Sequence, residues 1–166
     1  MRVDAEIEVK QVLRFVRVFT LGTWVGAIIY FAAVVAPGAF TALANQDDAG
    51  AVVRVTLGGL HLLGLVAAMV FLIASVALEK SLKSLVKPAA LGVILMLGLT
   101  IASQQYVMPR MAVLRFAMVS VQATPPGNAL RMEFDHLHRV SVWIEGAVLA
   151  IGLVSLFMTV RRENGV

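Results

Sequence analysis

Three histidines, His61, His136 and His138, and a glutamate set among apolar residues, Glu145, are the residues of this 166-residue chain whose types could do chemistry. An imidazole beside a carboxylate can hold a proton, bind a transition metal or neutralise a buried charge. Cysteine is absent, so no disulfide, thiolate metal site or cysteine nucleophile is available, and a metal would have to use His, carboxylate or Met ligands. The eight methionines are scattered without an M-x-x-M array, which argues against a copper relay. Nothing resembles a phosphate loop, a serine triad or a zinc-protease helix. No catalytic residue is expected, and the cofactor is unknown.

The elements that must position these residues follow from composition. The chain is 60% hydrophobic and 14% charged, with a mean hydropathy of +0.88, far from the roughly 45–50% apolar and about 25% charged residues of a soluble domain. An all-α integral membrane bundle of four transmembrane helices is expected, as one membrane domain over residues 1–166. Uncharged runs place three spans at about 18–44, 55–78 and 88–109, and a fourth, at about 140–160, has to include Glu145, each near the roughly 20 residues a crossing helix needs. The formal charge of +4 does not point to nucleic acid, because Lys and Arg lie at the edges of the apolar runs. The lipid bilayer is the partner they indicate.

Nine of the fourteen basic residues fall on one side of an up-down bundle, in the N-terminal segment, the loop between spans two and three, and the C-terminus. The positive-inside rule then puts both termini in the cytoplasm, in a bacterial inner membrane. The segment before span one mixes charges with Ile7, Val12, Leu13 and Val16, the pattern of an amphipathic helix lying at the interface. Residues 110–122 either extend span three or lie on the outer surface.

After Glu145 only Gly146 to Val160 remain before Arg161, about 15 residues and too few for a crossing. Span four must therefore start near Val140 and carry Glu145 inside it. His61 is seven residues from Arg54, Gln104 six from Arg110, and Glu145 six from Arg139, so each sits about 9–10 Å below its bordering arginine at helical rise. The three are expected to share an outer-facing polar layer, with Tyr106 close by. Asp135, His138, Ser141 and Glu145 fall at steps of three, three and four, one polar stripe on a helix that leaves His136 off it. A carboxyl facing lipid would be costly, so this stripe should face inward.

Gly22 and Gly26 form a G-x-x-x-G step, and Gly146 with Ala150 a second small-residue step, both read as close helix packing within the bundle or between subunits. Pro37 should kink or end the helix of span one and free a carbonyl toward the same layer.

The segments "GTWVG" and "APGAF" in span one, "YVMPR" at the end of span three and "FDHLHRVS" entering span four resemble the transmembrane protein 205-like domain family of small four-span membrane proteins. The resemblance covers about Phe19 to Phe157. His138 and Ser141 match the His and Ser of the family's fourth-span motif, while Glu145 stands where the family often has Asn. The resemblance implies a membrane protein with no established catalytic mechanism.

The leading functional expectation is a non-enzymatic membrane protein that binds or passes a small solute, proton or cation at the polar layer. Four spans enclose little volume, so a pore would require a homo-oligomer. A metal- or haem-binding redox protein, with His61, His138 and Glu145 as candidate ligands, is the first alternative. A structural or partner-docking protein is the second.

Overall fold

The computed structural model describes residues 2–163, and side chains over 5–161. Among them the chain forms helices and short connections. Helix α1 (Arg2–Tyr30) runs through a π-turn (Phe31–Val35) into α2 (Ala36–Ala42), and α3 (Gln46–Glu79) returns. A short 3-10 turn (Leu82–Val86) leads to α4 (Pro88–Ala102), which passes through a second π-turn (Ser103–Val107) into α5 (Met108–Met118). Helix α6 (Ala129–Glu163) completes four rods, each long and apolar enough to cross a membrane. The chain is thus an all-α, four-helix integral membrane bundle.

The N-terminal segment is not a separate interfacial helix. Arg2 to Tyr30 is one uninterrupted helix, because no Gly or Pro separates its charged start from the apolar run and nothing breaks the hydrogen-bond ladder. Residues 110–118 extend span three. Proline does not end either interrupted rod. Pro37 and Pro109 each stand two residues beyond a π-turn, where Ala36 N–H donates to Phe31 O and Met108 N–H to Ser103 O. A proline lacks its own N–H and crowds the carbonyl four residues back, and widening the turn by one residue accommodates both.

The rods pack in the cyclic order α1, α3, α4, α6, leaving α1 opposite α4 and α3 opposite α6. Helix α3 shows why. Leu57, Leu60, Gly64, Ala67, Ala68, Phe71 and Ala74 recur at helical spacing and are buried, most of them small enough for close approach. The core adds Leu21, Trp24, Val25 and Ile28 from α1, Val93 and Met96 from α4, and Val148 from α6. A second cluster, Val107, Met111, Leu114 and Phe134, ties α5 to the start of α6 at the distal end, the end remote from the chain termini.

The glycines that pack inside the bundle are not those of the G-x-x-x-G step. A β-carbon on Gly22, Gly26 or Gly146 would meet nothing within 4 Å, so these glycines face out of the bundle. Gly64 is the close contact instead: a β-carbon there would lie 2.5 Å from the Trp24 ring. Gly152 plays the same part against Val25 and Met96, at 2.8 and 2.9 Å.

Candidate functional site

His61 sits on the inward face of α3, one turn before Gly64, and its side chain is 3% exposed. Its Nε2 lies 2.6 Å from Glu145 Oε1 on α6, and its Nδ1 lies 2.8 Å from Gln104 Oε1 in the second π-turn. Because α3 and α6 stand diagonally across the bundle, the first of these bonds closes its centre. Glu145 keeps 17% exposure and Gln104 is exposed, so the triad runs from the periphery to a buried imidazole.

Each ring nitrogen has a partner, and the two partners differ in kind. A carboxylate accepts only, whereas a glutamine amide can offer its oxygen to an N–H or its NH₂ to a bare nitrogen. The site can therefore satisfy His61 in either protonation state. A partly buried carboxylate is tolerated here because it is paired at hydrogen-bond distance with a group able to carry the opposite charge. Toward the terminal end the interior is mostly apolar, with Trp24, Phe71, Leu21, Met96, Val93 and Val148 the largest fully buried apolar side chains, and Arg17, Ser75, Ser155 and Thr159 are buried there as well.

A family match bears on this arrangement. The family described as a domain of unknown function, DUF4149, matches residues 19–120. The chain belongs to the DUF4149 family. No curated protein and no solved structure matches it. The DUF4149 segment contains His61 and Gln104, and Glu145 reaches the site from α6 beyond it.

The remaining expected residues of this DUF4149 protein do not all converge. Ser141 is buried one turn from Glu145. Tyr106 is 72% exposed and turns outward from the layer. Asp135 is held by Arg131, whose Nε donates to both carboxylate oxygens at 3.0 and 3.1 Å. His138 is exposed; it shares a helix face with Glu145 but stands two turns, or about 10 Å, nearer the distal end. His61, His138 and Glu145 thus do not form one ligand set, and among the described residues no group of three His, Asp or Glu is placed to hold a metal ion. Pro37 is exposed and lies outside the triad.

Two polar features escaped the sequence reading. Arg17, one of the N-terminal basic residues counted there for topology, is 4% exposed with its guanidinium 5.1 Å from the Phe71 ring centroid. Its spacing of four, seven and eleven residues to Leu21, Trp24 and Ile28, all buried, was the available signal. Ser103, beside Gln104 in the π-turn, is fully buried and its Oγ has no hydrogen-bond partner among the described residues.

Proposed function

We propose that the protein is a non-enzymatic integral membrane protein that takes up a proton, or a small cation in its place, at the His61–Glu145 pair from the outer face of the membrane. The observation that carries this reading is the 2.6 Å contact between a buried imidazole and a carboxylate inside an apolar bundle. Such a pair can bind one proton and redistribute it over a hydrogen-bond distance. The amide of Gln104 supports the reading, since it can follow a change in the ring's protonation by rotating.

The same reading takes both termini as cytoplasmic and the membrane as a bacterial inner membrane, supported by the nine basic residues on the terminal side. The likeness to transmembrane protein 205-like proteins agrees with a small four-span protein of this kind. The apolar side chains packed below the triad favour uptake at a site over an open pore, and passage across the membrane would proceed in a homo-oligomer. The outward-facing Gly22 and Gly26 offer such a copy a close approach.

The test is proton uptake into vesicles carrying the full chain in a fixed orientation, followed with an internal pH dye, for wild type, Glu145→Gln and His61→Asn. Uptake above that of empty vesicles, lost in both variants while helicity is kept, is the expected result. Wild-type uptake no faster than the lipid background, or unchanged uptake in Glu145→Gln, would overturn the proposal.

A further inference from the structure

The distal end of the bundle carries five arginines, Arg54, Arg110, Arg115, Arg131 and Arg139, and the His61 site uses none of them. Arg110 pairs with Glu133 at 3.6 Å and Arg131 with Asp135 at 3.0 Å. Among the described residues, Arg54 and Arg115 have no carboxylate at ion-pair distance. They nevertheless stand within electrostatic reach of each other. Gly50 and Arg54 are one turn apart on the same face of α3, and a β-carbon on Gly50 would have Arg115 Nη2 as its one neighbour, at 4.0 Å.

Arg115 is half-buried, with its guanidinium 5.4 Å from the Phe134 ring centroid. The stack on Phe134 restrains its planar fork. Asp47 is the opposite charge within electrostatic reach of Arg115, and Arg54 the like charge. The Asp47 oxygens are already engaged, Oδ2 by Ser120 Oγ at 2.6 Å and Oδ1 by the Val121 and Gln122 amides at 3.0 and 3.4 Å. Two positive charges against one committed negative charge leave one positive charge over. The missing side chain at Gly50 leaves space beside Arg115.

We propose that Arg54 and Arg115 together bind an oxyanion, a carboxylate or phosphate group, between α3 and α5 at the distal end. Two guanidinium forks on separate helices suit one planar or tetrahedral anion, each donating to its oxygens. Arg54 lies seven residues before His61, about 10 Å along the helix toward the distal end, near where lipid headgroups would sit. The anion can therefore belong to a soluble solute or to a headgroup. This site is independent of the proton reading and stands or falls by itself.

The experiment uses the purified full chain. Calorimetric titration in a neutral detergent with inorganic phosphate and with succinate probes soluble anions. Native mass spectrometry from bilayers of phosphatidylglycerol mixed with phosphatidylcholine probes the headgroup. Saturable binding in either arm, weakened tenfold or more in both Arg54→Gln and Arg115→Gln and within twofold of wild type in the ion-paired Arg110→Gln, is expected, and the arm that responds identifies the source. Should Arg115→Gln fail to fold, exposed Arg54→Gln decides alone. No saturable binding in either arm, or wild-type binding in Arg54→Gln, overturns the proposal.

Discussion

His61 and Glu145 meet across the diagonal of the bundle, Nε2 to Oε1 at 2.6 Å, so a single polar bond joins two helices that otherwise stand on opposite sides of the core. Removing the carboxylate leaves the buried His61 Nε2 without its partner, which costs about 1–3 kcal/mol. Glu145→Ala should show that loss. Glu145→Gln retains an acceptor oxygen and should lose roughly 1 kcal/mol. Unfolding in mixed micelles ranks the two, and equal losses would mean that the amide oxygen does not replace the carboxylate, so that the charge of Glu145 is what His61 requires.

Trp24 against Gly64 gives a second prediction, because the ring occupies the space a β-carbon would need. Gly64→Ala should destabilise by about 1–3 kcal/mol, the usual range for overpacking. Gly22→Ala and Gly26→Ala, which face open space, should be neutral or slightly stabilising in the same assay, since Ala is the better helix former. The opposite order would place the packing seam where the G-x-x-x-G spacing suggests it.

That contrast marks how far the sequence could be read. Span length and helical rise fix depth, and depth alone brought His61, Gln104 and Glu145 to one level. Facing is harder. A G-x-x-x-G step identifies a small-residue face without saying which way it turns, and Gly64 and Gly152 carry no such signature. Tyr106 was misplaced because it was read by depth alone: it stands two residues after Gln104, and residues two apart on a helix point to opposite sides. His138 shares the Glu145 face but lies too far along the helix to join it. Arg17 was assigned by charge, although its neighbours at helical spacing are core residues.

Arg17 and Phe71 should couple. A guanidinium over an aromatic face in a desolvated setting is worth about 2 kcal/mol, and Arg17 is 4% exposed at 5.1 Å from the ring centroid. A double-mutant cycle with Arg17→Gln and Phe71→Leu should return a coupling of about 1–2 kcal/mol. Additive losses within about 0.3 kcal/mol would show that the ring merely fills space.

At the distal end Asp47 clamps the turn that follows α5. Val119 has φ 65° and Ser120 N–H donates back to Met118 O at 2.7 Å, a three-residue reversal that a β-branched residue disfavours. Asp47 offsets that strain by accepting from Ser120 Oγ and the Val121 and Gln122 amides. Asp47→Ala should release the turn, and limited proteolysis between residues 119 and 128 should accelerate severalfold while the transmembrane core stays resistant. Unchanged cleavage would locate the restraint elsewhere, with Arg131 and its bond to Val121 O the next candidate.

The π-turn before Pro109 supplies the last prediction, because it carries Gln104. Pro109→Ala restores an N–H and removes the ring that crowds the preceding turn. The helix can then close to regular α geometry, which changes the phase between α4 and α5 by about 100°. Gln104 would turn away from His61 Nδ1, while the Nε2 bond to Glu145 on α6 would remain. The ¹⁵N resonances of His61 should then respond to Pro109→Ala as they do to Gln104→Leu, at Nδ1 more than at Nε2. Pro37→Ala provides the control, since its π-turn holds none of the three polar residues. A wild-type His61 spectrum in Pro109→Ala would mean that packing around Ser103 and Val107, both buried, maintains the wide turn without the proline.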